Sequence, residues 1–217
     1  MKPLERSYNE EKVYRYFSGA AWYYDIWAKL TETKAANLAL DWSGLNGNAR
    51  VLEVATGTGL LFEELVKRNP GGYTAGIDIS REMLAKAKKR LRPYQKNNHF
   101  DLKLASVYDI PFGNRRFDFL INNYMFDLFP EKDFEPILIS YHKKLKPGGK
   151  VIICSMTNPE KWYQMHWEWL AENLPDLLTG CRPVSMLPYL VNTGFRITKQ
   201  TIVSQLTFPS EVIIAAK

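Results

Sequence analysis

Cysteine is nearly absent: Cys154 and Cys181 are the only two in 217 residues, too few for a disulfide framework. The three histidines fall at no Cys/His spacing of a zinc site, so no metal ligands are expected. A reducing, cytoplasmic compartment fits such a chain. No stretch approaches the roughly 18 apolar residues of a membrane span. The N-terminal MKPLERSYNEEKVYRYF scatters charge where a secretory leader has an apolar core. Internal repeats, low-complexity tracts and Pro/Gly/Ser-rich linkers are also missing, which argues for one domain. With 46% hydrophobic and 24% charged residues, the chain is neither collagen-like nor disordered.

What is present in excess is positive charge, 29 Lys and Arg against 23 Asp and Glu. The whole surplus of +6 lies between Arg81 and Lys103, where eight basic residues face only Glu82 and Asp101. There Met83, Leu84, Ala87 and Leu91 form an apolar helical stripe, with Lys86, Lys89 and Arg90 facing away from it. The surplus therefore reads as one solvated helix and its loop, not as an interface for nucleic acid. Peripheral contact with an anionic membrane is the one use of that charge left open.

From Arg50 onward, short apolar runs alternate with helical patterns. Strands are expected at 50–55, 73–78, 101–105, 117–122 and 149–154, and helices at 59–68, 80–91 and 131–145. Asn69-Pro70-Gly71-Gly72 and Lys146-Pro147-Gly148-Gly149 supply helix stops. Such alternation predicts right-handed crossovers and a doubly wound, mostly parallel α/β sheet. After Cys154 come a helix at 159–173 and two β-like runs, 194–204 and 211–216, close enough to pair antiparallel. Helical segments at 9–28 and 33–43 precede the first strand.

The stretch Val51-Leu-Glu-Val-Ala-Thr-Gly-Thr-Gly59 runs from a buried strand into a glycine turn that opens a helix. Gly57 and Gly59 admit close approach of a ligand to backbone amides. Asp78 ends the next strand, where a carboxylate accepts hydrogen bonds from both hydroxyls of a ribose. Phe62 stands where a dinucleotide fingerprint has its third small residue, which disfavours a pyrophosphate. Glu53, before the turn, suits a cationic ammonium. The two carboxylates together describe an adenosine with a cationic amino-acid tail.

Glu53-Val-Ala-Thr-Gly57-Thr-Gly59, Gly76-Ile-Asp78-Ile79-Ser80 with Met83-Leu84, Ser106-Val-Tyr-Asp-Ile-Pro-Phe112, Phe117-Asp118 and Leu145-Lys-Pro-Gly-Gly149 run collinearly over about residues 50–155. In this set the chain resembles the class I S-adenosylmethionine-dependent methyltransferases, in the branch of the ubiquinone/menaquinone C-methyltransferases and bacterial phospholipid N-methyltransferases. The resemblance implies a Rossmann-like seven-stranded sheet of order 3-2-1-4-5-7-6 with its last strand antiparallel. It divides the chain into N-terminal lid helices (1–45), a cofactor-binding core (46–155) and an acceptor-side helix with antiparallel strands (156–217). S-adenosyl-L-methionine is the implied cofactor. Its implied contacts are Glu53, Ala55, Thr56, Gly57 and Gly59 at the turn and the methionine end, Asp78 on the ribose, and Ile79 and Met83 near adenine. Ser106 and Val107 are implied at the adenine edge, and Asn122 and Asn123 beside the methionine moiety. The family often has Gly where Ala55 stands and Asp where Ser106 stands. Asp118 is expected to be structural.

Two aromatic clusters fit either core packing or an acceptor pocket. Tyr8, Tyr14, Tyr16, Phe17, Trp22, Tyr23, Tyr24 and Trp27 lie in the N-terminal helices, and Tyr24-Asp25 resembles a Tyr-Asp pair of the family; Trp162, Tyr163, Met165, His166, Trp167 and Trp169 follow the fifth strand. Methyl transfer needs in-line alignment, dehydration and, for a phenol or activated carbon, a base. His166 is the first candidate base, followed by Tyr23, Tyr24 and Asp127; His99 and His142 read as surface residues. The expected acceptor is a small or amphiphilic molecule such as a quinol, lipid headgroup, amine or thiol, bound by a monomer or homodimer. A non-catalytic S-adenosylmethionine-binding or partner-activating protein is the alternative. A nucleic-acid methyltransferase is disfavoured because Asn122-Asn123-Tyr124-Met125 lacks the Pro-Pro-aromatic motif of those enzymes.

Overall fold

The computed structural model describes residues 25–96, 98–174, 178 and 180–217. Seven strands form one sheet: β1 (Arg50–Val54), β2 (Tyr73–Asp78), β3 (His99–Leu104), β4 (Phe117–Asn123), β5 (Leu145–Met156), β6 (Arg196–Gln205) and β7 (Phe208–Ala216). Their order is β3-β2-β1-β4-β5-β7-β6, as the resemblance implied. The first five strands are parallel, whereas β7 runs antiparallel to both β5 and β6. β1 lies between β2 and β4 with Val54 paired to Ile77 on one side and Asn122 on the other, so the crevice opens where the strand order reverses.

The helices are α1 (25–31), α2 (Thr33–Ser43), α3 (Leu60–Arg68), α4 (Arg81–Leu91), α5 (Phe134–Lys144), α6 (Met165–Asn173) and α7 (Leu187–Asn192). On α4 the buried residues are Met83, Leu84, Ala87 and Leu91, the stripe the spacing predicts. Ser80 caps this helix by accepting from the Met83 amide at 3.2 Å. α2 buries Ala35, Ala39, Leu40 and Ser43 against the β5–β7–β6 half of the sheet. Glu32 breaks the helical path between α1 and α2.

Two boundaries differ from expectation for identifiable reasons. β5 begins at Leu145, which pairs with Phe117; the register then jumps to Phe119–Lys150, so the Lys-Pro-Gly-Gly segment bulges out of a strand instead of preceding one. β7 begins at Phe208, earlier than its apolar run, because Pro209 stands just beyond the last pair with β5, Met156–Ser210. β6 and β7 are joined through Leu206 and Thr207, both at positive φ (47° and 67°), the backbone of a two-residue hairpin. β7 is buried throughout, while edge strand β6 is part-exposed.

Asp118 is a structural pin, as expected: its carboxylate accepts from the Arg50 amide at 2.8 Å and from Lys146 Nζ at 2.7 Å, tying β1, β4 and the loop before Lys150. Among the described residues, no helix is long and apolar enough to cross a membrane. Most of the expected 9–28 helix, with six of its aromatics, the candidate bases Tyr23 and Tyr24 among them, lies outside the described residues.

Candidate active site

β1 ends in an abrupt turn. Ala55 adopts φ +62°, a left-handed conformation costing an L-residue about 1–2 kcal/mol. The Thr56 amide then donates to Ile77 O at 3.0 Å, folding the turn back over β2. There Gly76 is required: a Cβ would meet Thr56 Oγ1 at 2.6 Å and the Phe62 ring at 2.7 Å. At Gly59, where the turn becomes α3, φ is +82° and a Cβ would lie 2.9 Å from Ala87 Cβ. This glycine therefore lets the turn rest directly on α4.

Asp78 closes the other side. One carboxylate oxygen accepts from the Gly57 amide at 2.7 Å and the other from the Ser80 amide at 2.8 Å. Burial raises its pKa, and these backbone donors oppose the rise. The Ile79 amide is a third such donor, and the carboxylate as a whole retains acceptor capacity for a further donor. Glu53 is only 2% exposed, and its Oε2 has no hydrogen-bond partner. Burial raises its pKa well above the ordinary 4.5, and the neighbouring Asp78 charge adds to the shift. A buried, unpartnered carboxylate costs stability unless a cation meets it, so this residue fits the ammonium of an amino-acid tail.

Two clefts adjoin above these strand ends and share Ala55 and Asn123. The first, about 710 Å³, is lined by Val54, Gly57, Ile77, Asp78, Ile79, Met83, Ala105, Val107 and the Tyr124–Phe129 region. It offers a mostly apolar lining beside the Asp78 carboxylate. The second, about 1230 Å³, is the more polar one and includes Glu32, Glu53, Thr56, Thr58, Glu63 and Arg90.

Nine of the expected cofactor residues border one cleft or both: Glu53, Ala55, Thr56, Gly57, Asp78, Ile79, Met83, Val107 and Asn123. Three others stand outside. Gly59 faces α4; the Asn122 amide is buried and donates to Val54 O at 3.1 Å; Ser106 Oγ accepts from the Tyr108 amide at 3.0 Å.

The described candidate bases are also outside both clefts. His166 is exposed on α6, with Nε2 3.3 Å from Thr207 Oγ1 at the β6–β7 hairpin. Asp127 is fully buried in the short 3-10 helix after β4, where Oδ2 accepts from the Met156 amide at 2.7 Å. Burial raises its pKa to about 7. That bond ties the 3-10 helix to the end of β5.

The aromatic cluster of α6 divides into two faces. Trp167 points inward and packs edge-on against Trp27 of α1 and Phe208 of β7, with centroids 6.0 and 5.2 Å away. Trp162, Met165 and Trp169 point outward, Trp162 with 84% of its surface exposed. Beneath the inner trio, Tyr124 at φ +50° hydrogen-bonds Ser210 Oγ and lines the first cleft. Glu32 and Tyr124 border the clefts without a sequence signal: Glu32 sits in no motif, and Tyr124 lies in a stretch distinguished only by its lack of prolines.

Comparison with known proteins places the chain by sequence and fold. Residues 51–149 match the family model described as a methyltransferase domain. The chain resembles the class I S-adenosylmethionine-dependent methyltransferases. The ubiquinone/menaquinone biosynthesis C-methyltransferase UbiE of Geobacter sp. (strain M21) is 29% identical over 154 residues, 69% of this chain and 65% of that protein. The corresponding protein of Geotalea daltonii is 33% identical over 113 residues, 52% of this chain and 47% of its own. The chain thus spans about half to two thirds of the length of these methyltransferases. A solved SAM-dependent methyltransferase from Aquifex aeolicus superposes with TM-score 0.65 at 17% identity, covering 97% of this chain and 99% of its own, and shows the shared fold.

Proposed function

We propose that this chain is an S-adenosylmethionine-dependent methyltransferase acting on a small or amphiphilic acceptor. The observation that carries the reading is the unpartnered, buried Glu53 carboxylate set across the glycine turn from Asp78. In this reading Glu53 holds the ammonium of the cofactor, Asp78 accepts from the ribose hydroxyls, and Ile79, Met83 and Val107 pack on the adenine. Gly57 presents backbone near the methionine end, and Asn123 stands where the two clefts meet. When bound, the cofactor supplies an electrophilic methyl group on a sulfonium. The chain aligns an acceptor with that methyl and excludes water, and Tyr124, Met125, Leu128 and Phe129 give the first cleft an apolar wall.

The relatives' C-methyltransferase activity in ubiquinone/menaquinone biosynthesis makes a quinol with an unsubstituted ring carbon the acceptor to try first. Binding of S-adenosylhomocysteine measured by calorimetry tests the cofactor reading. Asp78→Ala is expected to weaken binding about a hundredfold, the loss of two hydrogen bonds to a charged group at about 1.5 kcal/mol each. Unaltered affinity in that variant refutes the assignment. A panel of reduced quinols, phospholipid headgroups, thiols and amines, scored by S-adenosylhomocysteine release, then separates the acceptor classes. Binding without turnover on every acceptor favours the non-catalytic alternative.

A further inference from the structure

On the basic helix α4, Arg90 is not simply solvated. Arg90 Nη2 meets Asp25 Oδ2 at 2.5 Å, its Nε donates to the Thr58 carbonyl at 3.1 Å, and its Nη1 lies 3.7 Å from Glu63 Oε2. The other oxygen of Asp25 accepts from the Thr58 hydroxyl. Thr58 is buried inside the glycine turn, between Gly57, whose amide holds Asp78, and Gly59, which rests on Ala87. Ala87 and Arg90 are one helical turn apart, so α4 supports the turn from below with one residue and braces it with the next. Through Asp25, the same guanidinium reaches the first described residue of α1.

We propose that Asp25 and Arg90 are positioning residues that latch α1 onto the cofactor-binding turn and slow release of the cofactor from the cleft. The inference rests on the function proposed above. Ala28, Lys29 and Glu32 of the α1–α2 segment line the same cleft as Glu53, so the segment held by Asp25 forms one wall around the cofactor tail. Side-chain exposures of 22% for Arg90 and 31% for Asp25 leave the pair partly wet, which suits a contact that opens and recloses during turnover. The latch contacts the turn through the Thr58 side chain and carbonyl, leaving the Gly57 amide and the Glu53 carboxylate to the binding site itself.

The test is stopped-flow measurement of S-adenosylhomocysteine release from the full chain, followed by tryptophan fluorescence, for which Trp27 is two residues from the latch. Arg90→Ala and Asp25→Asn are each expected to speed release about fivefold, about 1 kcal/mol. The double variant should be no faster than either single one, and the charge swap Asp25→Arg with Arg90→Asp should recover part of the loss. Hydrogen exchange supplies a readout free of ligand: amides of residues 25–31 should exchange faster in both single variants while those of β1 and β4 keep their protection. Asp25→Asn, nearly isosteric at a part-exposed site, carries the test if Arg90→Ala folds poorly. Release and exchange at wild-type rates in folded variants overturn the latch alone. A wild-type chain that binds no S-adenosylhomocysteine overturns the cofactor reading, and the latch with it.

Discussion

Replacing Gly59 by alanine separates a packing role for the second glycine of the turn from a ligand-binding one. The added Cβ would lie 2.9 Å from Ala87 Cβ and 3.1 Å from Ala87 Cα, against the roughly 3.5–4.0 Å that two carbons prefer. One of those atoms is helix backbone, so the clash cannot be relieved by rotating a side chain. Overpacking of this kind costs about 1–3 kcal/mol. The φ of +82° adds about 1–2 kcal/mol for a residue with a Cβ. The sum, about 2–5 kcal/mol, lowers the Tm of a chain of this size by about 4–20 °C. Urea and thermal unfolding of Gly59→Ala, Ala87→Gly and the double variant check the figure. Ala87→Gly alone costs about 1 kcal/mol in helix propensity, and the double variant should recover the overpacking part as a coupling energy. Below its melting range Gly59→Ala should bind S-adenosylhomocysteine within a few-fold of wild type, because Gly59 borders neither cleft. A stable Gly59→Ala protein, a coupling energy of zero, or a folded variant that has lost binding would each refute the reasoning.

Two further substitutions probe the buried carboxylates. The folded pKa of Glu53 is raised above its ordinary 4.5, so its contribution to stability is intact below that pH and is lost as pH climbs toward the raised value. Glu53→Gln is therefore expected to stabilise the free protein at pH 8 by about 1–3 kcal/mol, with a smaller gain at pH 5, while weakening S-adenosylhomocysteine binding; urea titrations at the two pH values and calorimetry read both effects. Asp127 follows the same sign, losing stability as pH rises from its ordinary 3.8 to about 7. Asp127→Asn keeps an oxygen to accept the Met156 amide, so stability should be held or improved above pH 7 and methyl transfer retained; loss of kcat with stability unchanged would instead make Asp127 the base.

Much of the fold was legible because burial imposes a period. The stripe of Met83, Leu84, Ala87 and Leu91 and the apolar run of β1 follow directly from which residues water must leave. Boundaries failed where pairing with a distant strand overrode local signals. The Pro-Gly-Gly of β5 reads as a stop, yet Leu145 before it already pairs with Phe117. β7 likewise starts before its apolar run, with Pro209 lying where the strand has run past its β5 partner. In the candidate site, Glu53 and Asp78 are legible as a carboxylate pair because each stands at the end of a strand next to the turn, and position in a strand is a local property. His166 was favoured for its chemistry alone, and its exposed place on α6 depends on which face of that helix meets Trp27 and Phe208.

By itself, the sequence determined the strand–turn–helix units, the two carboxylates that flank the glycine turn and the place of the positive charge, since spacing and side-chain type suffice for these. Only the tertiary structure decided which groups share a cleft and which act as braces. It turned Gly59 toward α4, buried Asp127 against β5 and drew Arg90 out of a solvated helix face onto Asp25, 65 residues away in the chain. Those outcomes depend on the distance between elements that meet only once the sheet has closed, and no local pattern encodes that distance.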